Sequence, residues 1–232
     1  MNSSFAVGLQ VRIDSVRLPR KALLPLAGKS VMVHAMEALR LLGAEHNYIL
    51  TDAASADLLG PVAVDCGFSV LIGPGEDVLR RYAALAEESG SETIIRATGD
   101  NPAVSPAMAR AAVELRQEFG ADLAAFDNLP LGTGVEVLAS EAILRADREA
   151  GAADEREHVT LHLYRNRDRY LIDRRPAPPE ASMPDSRVTL DTVEDYRFIS
   201  ELYHRAYDGT PQEVWQVIEA VKALSDGVAC GG

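Results

Sequence analysis

The residues best suited to chemistry lie in three places. After a first apolar run, FAVGL, the stretch GLQVRIDSVRLPRKALLPLAGKS gathers Arg12, Arg17, Arg20, Lys21 and Lys29 in a chain whose net charge is −12. Clustered cations in an acidic protein can neutralise a polyanion such as a phosphate chain. Further on, TIIRATGDNP closes a β-branched run with Gly99, Asp100, Asn101 and Pro102, and RVTLDTVEDY closes another at Asp191. The carboxyl ends of strands in an α/β sheet face the ligand crevice, so an acid there is placed to hold Mg²⁺. That ion takes one or two carboxylates and leaves its other positions to water and substrate phosphates. If both runs are strands of one sheet, Asp100 and Asp191 can share the ion.

Each feature also has a purely structural reading. Arginines and lysines are exposed on most surfaces. Asp-Asn-Pro is a turn sequence whose carboxylate can bond nearby amides. Asp191 or Thr192 can cap a helix that carries Glu194 and Asp195 in its first turn, and capping does not exclude metal binding.

Around these residues the chain alternates strand-like and helix-like segments, the pattern of an α/β sheet with crossover helices. Phe5 to Leu9, Tyr48 to Leu50, Phe68 to Ile72, Thr93 to Ile95 and Asp122 to Phe126 are the expected strands, with Arg187 to Thr192 as a later one. A helix is expected from the N-cap Ser30 to Gly43, since Val31, Ala35, Ala38, Leu39 and Leu42 fall on one face. Asp77 to Glu88, Pro106 to Phe119, Val193 to Tyr207 and Pro211 to Leu224 read as further helices. Residues 127–185, with NLPLGTGVEV, EREHVTLHLYRNRDRY and RRPAPPEASMPD, read as an inserted arm on one domain spanning 1–232.

At 232 residues and 47% hydrophobic, the chain can bury a sizeable core. Its acidity argues against binding to nucleic acid or anionic lipid. Its apolar runs are far short of the ~20 residues needed to span a bilayer, and a cytoplasmic location is expected. Cys66 reads as a core residue and Cys230 as part of a frayed CGG end; two cysteines make neither a framework nor a metal cluster. Neither G-x-G-x-x-G nor G-x-x-x-x-G-K-[ST] is present, which argues against a dinucleotide oxidoreductase and a P-loop enzyme.

Taken in order, R-x-x-S-x-R-L-P-x-K (Arg12 to Lys21), GPGEDVLRRY, IIRATGDNP, GTGVEV, EREHVT and LDTVEDY resemble the cytidylyltransferases that activate acidic sugars, the family of CMP-sialic acid and CMP-KDO synthetases. The spore-coat-polysaccharide-like branch is the nearest in pattern. The resemblance covers residues 5 to about 200 and implies a Rossmann-like, three-layer nucleotidyltransferase fold with a mostly parallel central sheet. It implies CTP and Mg²⁺: the backbone of Leu9, Gln10 and Val11 receives cytosine, Arg12 and Lys21 hold the triphosphate, Ser15 and Arg17 support the loop, and Asp100 and Asp191 are the metal ligands. Thr98 and Arg81 are further nucleotide contacts, with a helix-surface role as the plainer reading of Arg81. The family usually has Ala at position 11, and this branch often has Gly at position 14. Here Val11 narrows the base pocket and Asp14 puts a negative charge beside the phosphate loop.

A small acidic acceptor, a sugar acid or a small phosphonate, needs cations of its own. Arg96, Arg156 and His158 are the candidates, with Glu136 to accept from a hydroxyl or amine. His158 reads equally as a structural histidine between helices. Leu161, Leu163 and Tyr164 fit a homodimer contact through the arm, as the family forms, or packing within one subunit. Two other functions compete. A nucleotide-sugar-dependent glycosyltransferase usually carries D-x-D, whereas Asp100 is followed by Asn101 and Pro102. A catalytically silent nucleotide-binding protein has no need of Arg12, Lys21, Asp100 and Asp191 together.

Overall fold

The computed structural model describes residues 4–229, so Cys230 lies outside the described residues. The chain enters on β1 (Phe5–Gln10), passes through a loop with one turn of 3₁₀ helix at Lys21–Leu23, and forms a short hairpin of β2 (Pro25–Leu26) and β3 (Lys29–Ser30). Then come α1 (Val31–Arg40), β4 (His46–Thr51), α2 (Ala53–Asp65), β5 (Ser69–Ile72), α3 (Val78–Ser89), β6 (Thr93–Thr98), α4 (Pro106–Phe119) and β7 (Leu123–Asp127). The expected strands and helices of the first half are therefore present. Ser30 is the N-cap of α1, although its hydroxyl makes no cap bond.

The rest of the chain carries β8 (Glu136–Ala139), α5 (Ser140–Glu149), α6 (Ala153–Glu157), α7 (Leu161–Arg165), β9 (Ile172–Pro176), α8 (Val193–Ala206) and α9 (Val214–Ala229). The sheet order is β5-β4-β1-β6-β8-β7-β9. All neighbours are parallel except β8, which runs antiparallel to both β6 and β7. Much of 127–185 thus returns to the sheet, as the inner strand β8 and the edge strand β9.

Two faces of the sheet bury different sets of side chains, because strand residues alternate. Val7, Leu9, Ile95 and Ala97 pack on one side with Met32 and Leu39 of α1, Leu59 of α2 and Ala112 of α4. Ala6 and Ile94 pack on the other with Leu79 and Tyr82 of α3, Ile143 of α5 and Leu163 of α7. That makes three layers. Helices α8 and α9 close a third cluster over Leu18, Val31, Val188 and Leu190, and so clamp the crevice loop and the Asp191 segment to the body. Leu163 is fully buried within the chain, so packing inside the subunit accounts for it.

The segment Arg187–Thr192 is not a strand of the sheet. It is an extended strap with a single parallel bridge between Arg187 and Leu131. Its partners are loops: Val188 N–H donates to Leu131 O (2.8 Å) and Leu190 N–H donates to Asp100 O (3.0 Å). The β-branched composition gave extension, but the main-chain bonds of Val188 and Leu190 go to loops, so the strap joins no ladder of the sheet.

Candidate active site

A crevice of about 370 Å³ opens at the carboxyl ends of β1 and β6. Gln10, Val11, Arg12, Ser15, Arg17, Lys21, Arg81, Thr98, Asp100, His158 and Asp191 all line it. The loop after β1 thus meets the turn after β6 and the strap, although these come from distant parts of the chain.

The backbone sets that meeting. In register, Leu9 pairs with Ala97 and Gln10 with Thr98, and Gly99 N–H then donates to Gln10 O (2.9 Å). A Cβ on Gly99 would lie 2.7 Å from Val11 Cγ2, so glycine lets the two turns close on each other. Gly132 does the same for the strap. Its φ is +108°, and a Cβ there would sit 2.9 Å from the carbonyl carbon and oxygen of Val188. Thr192 caps α8 through a reciprocal pair of bonds with Asp195, which leaves the Asp191 carboxylate free to face the crevice.

Lys21 stands at the centre. Its ammonium donates to Asp100 Oδ2 (2.5 Å), Leu190 O (2.7 Å) and Asp191 Oδ1 (2.9 Å). Three acceptors satisfy its three N–H groups. Asp191 is also held by Arg17, 3.3 Å from Oδ1, and by Arg187, which donates to Oδ2. Partial burial raises the carboxyl pKa of Asp191, but the bond and charge of Lys21, with Arg187 and Arg17, outweigh it and hold the group below its ordinary range. Asp191 is therefore a fixed anion at neutral pH.

The remaining predicted residues divide. Arg12 is exposed and pairs with Asp14 (3.3 Å), so the acid at position 14 partly neutralises the loop it belongs to. Arg81 does not lie on the surface of α3. It is 2% exposed, and its Nη1 donates to Leu50 O (3.0 Å). That bond holds the end of β4, which in turn accepts from Val11 N–H (3.1 Å). Lys29 is turned away to Glu37 (2.7 Å) and Tyr207 (3.0 Å) and is not among the lining residues.

Of the acceptor candidates, only His158 lines the crevice, exposed and beside Glu157. Arg96 and Glu136 pair with each other at 2.6 Å below it, and Glu136 also accepts from Thr160 and Tyr164. Arg96 Nε donates to Gln10 Oε1 (3.2 Å). Arg156 grips Asp77 (2.6 Å) and Asp147 (2.7 Å), docking α6 onto the start of α3 and onto α5. Arg96 and Arg156 each already have a counter-charge within the chain. Sequence reading missed Val16, Glu157 and Arg187. Val16 is 95% exposed, and a bare valine within a cationic loop was the one available signal.

Chemically, the crevice sets three loop cations against two carboxylates that share one ammonium. This suits a polyphosphate and a hard divalent cation held together. Residues 6–218 match the cytidylyltransferase family model. The spore coat polysaccharide biosynthesis protein SpsF of Bacillus subtilis is 31% identical over 205 residues, 85% of each chain. The 3-deoxy-manno-octulosonate cytidylyltransferase of Haemophilus influenzae is 29% identical over 123 residues, 52% of this chain and 48% of that one. Among solved structures, a cytidylyltransferase from Leptospira borgpetersenii superposes with a TM-score of 0.87 over 97% of this chain and 96% of that one, at 22% identity. CMP:2-keto-3-deoxy-manno-octonic acid synthetase, in complex with CTP, gives 0.69 over 88% of this chain and 99% of that one, at 14% identity. The two superpositions carry the Rossmann-like nucleotidyltransferase fold, and the sequence matches carry the descent: the chain belongs to the cytidylyltransferase family, in its SpsF-like branch.

Proposed function

We propose that this chain transfers CMP from CTP to a small acidic acceptor, a sugar acid or a small phosphonate, and releases pyrophosphate. The observation that carries the proposal is the convergence of Arg12, Arg17 and Lys21 with Asp100 and Asp191 in one crevice. The donor set fits Mg²⁺. Asp100 and Asp191 offer hard oxygens within reach of one ammonium. Two carboxylates, with water and phosphate oxygens in the other positions, is how Mg²⁺ is usually held, whereas Zn²⁺ prefers a nitrogen and sulfur cage. When bound, Mg²⁺ supplies charge neutralisation on the phosphates.

The chain's own residues do the rest. Lys21 and Arg12 bind phosphate oxygens and offset the charge that builds as an acceptor oxygen displaces pyrophosphate from the α-phosphorus. Arg17 pairs with Asp191 at 3.3 Å and so links the same loop to the acid pair. Alignment and charge suffice for such a transfer, and no protein nucleophile is required. His158, on the arm side of the crevice, is the residue best placed to meet the acceptor's acid. The relative that acts on 3-deoxy-manno-octulosonate supports a sugar acid. We further propose a cytoplasmic homodimer, as the family resemblance implies. Separately, no helix among the described residues is long and apolar enough to cross a membrane. Sedimentation velocity tests the dimer.

The decisive experiment is pyrophosphate release from CTP and Mg²⁺ with a panel of acceptors, each product identified by mass as a CMP adduct. Release that depends on acceptor is expected. Release from a nucleotide sugar, or none with any acceptor, sinks the proposal in favour of a glycosyltransferase or a silent binding protein.

A further inference from the structure

Arg187 is tied to the acid pair although it does not line the crevice. Its backbone sits on the bridge to Leu131, between Leu131 N–H donating to Ser186 O (2.8 Å) and Val188 N–H donating to Leu131 O (2.8 Å). Its guanidinium then faces two acids at once. Nη2 donates to Asp191 Oδ2, and Nε lies 3.4 Å from Asp195 Oδ1. Asp195 is itself fixed, since its Oδ2 accepts from Asp191 N–H (3.0 Å), Thr192 N–H (2.8 Å) and Thr192 Oγ1 (3.0 Å).

The two oxygens of Asp191 therefore have different surroundings. Oδ1 faces Lys21, the ammonium it shares with Asp100, and Arg17. Oδ2 is turned to Arg187. Arg187 thus closes Oδ2 with a charge-assisted hydrogen bond, whereas the Arg17 guanidinium reaches Oδ1 only as an exposed ion pair at 3.3 Å, and Oδ1 stays on the side shared with Asp100 through Lys21. A side chain held by its own strap and by Asp195 also resists rotation of the carboxylate.

We propose that Arg187 is a positioning residue that holds Asp191 as a one-oxygen ligand for the divalent cation, with Oδ1 turned towards Asp100. The inference rests on the metal reading of Asp191 above. Removing a group that orients a metal ligand typically costs about 10–100-fold in metal affinity. A merely structural role predicts something different: a partly exposed ion pair four residues apart contributes little to stability and would leave metal binding untouched.

The test uses the full chain, with Mn²⁺ as probe in the presence of saturating CTP, free Mn²⁺ being read by electron paramagnetic resonance. Arg187→Gln is expected to weaken Mn²⁺ binding about 10-fold or more and to raise the Mg²⁺ needed for half-maximal turnover. The KM for CTP at saturating Mg²⁺ and the melting temperature should hardly move. Arg187→Lys keeps the charge but cannot span Asp191 and Asp195 together. It should bind Mn²⁺ with intermediate affinity, and it carries the test if the Gln variant fails to fold. Wild-type Mn²⁺ affinity in Arg187→Gln, or in Arg187→Lys where only that variant folds, overturns the proposal. Asp191→Asn separates this failure from failure of the metal reading. If Asp191→Asn also binds Mn²⁺ as the wild type does, Asp191 is no ligand and both fall. If only Asp191→Asn is impaired, the metal reading stands and the role of Arg187 alone is lost.

Discussion

The N–H of Leu190 donates to the carbonyl of Asp100 at 3.0 Å. This bond stitches the strap directly to the turn after β6, so Asp191, one residue on, arrives beside Asp100. Lys21 then binds both carboxylates and the carbonyl of Leu190. The acid pair is thus fixed by main chain first and by side chains second, and substituting one carboxylate need not move the other.

Asp100→Asn and Asp191→Asn keep shape and hydrogen-bonding reach while removing one charge each. Each is expected to lower CMP transfer by about 10²–10³-fold or more, the range seen when a group that stabilises developing charge is removed. The melting curve by circular dichroism should stay near that of the parent, because both side chains are partly exposed. A double variant that still turns over at the parental rate, measured by pyrophosphate release, would remove the acid pair from the mechanism.

Gly132 carries the strap. With φ at +108° and a Cβ 2.9 Å from the Val188 carbonyl, Gly132→Ala must strain the backbone or push Val188 away. The backbone cost alone is roughly 1–3 kcal/mol. For a chain of this size that is a drop in melting temperature of roughly 2–12 °C, measurable by calorimetry. Displacement of the strap should also lower activity beyond the loss of folded protein. An alanine variant with parental melting and turnover would mean that the strap tolerates movement and that Gly132 does not set its position.

Much of this was legible in the sequence, and the exceptions share a cause. Strands β1, β4, β5, β6 and β7 announced themselves as short β-rich runs, and α1 by the buried face from Val31 to Leu42. The two acids were visible because each ends an extended run. Strand β8 was hidden: only Glu136–Ala139 pair, directly behind a Gly- and Pro-containing loop that reads as irregular. Strand β9, IDRRP, was hidden by its charges; it is an edge strand whose Arg174 and Arg175 find acids at Asp127 and Asp173. The burial of Arg81 and the ion pairs of Arg156 were not legible because their partners, Leu50 O and Asp77, are set by tertiary contacts that no local pattern records.

Glu136 illustrates that last point. It accepts from Arg96, Thr160 and Tyr164, while Arg174 binds the same Tyr164 hydroxyl. Burial would weaken the charge of Arg96, but Glu136 offsets it and the net effect raises the Arg96 pKa. Glu136→Gln leaves that guanidinium without its counter-charge in a site where both side chains are less than a third exposed. A loss of about 2–4 kcal/mol is expected, near the cost of breaking a buried pair. Urea unfolding measures it. If stability is unchanged and only the acceptor KM rises, Glu136 is a substrate contact and its structural role fails.

Glu155 gives a prediction in pH. It is buried at the start of α6, where His162 Nδ1 lies 3.0 Å from Oε2 and Arg165 3.3 Å from Oε1. The bond with His162 lowers its pKa most; burial opposes this, and Arg165 adds to the lowering, so the folded value lies below the ordinary 4.5. A depressed carboxylate contributes stability that is fully present above the unfolded value and is lost as pH falls through the folded one. Glu155→Gln removes that contribution at every pH. The variant should therefore melt below the parent at neutral pH, and the gap should close as the pH falls below 4.5 and through the lowered folded value, where the parental carboxylate is itself protonated. Paired melts across this range check the sign. A gap that stays constant would show that Glu155 acts by packing and hydrogen bonding alone, without its charge.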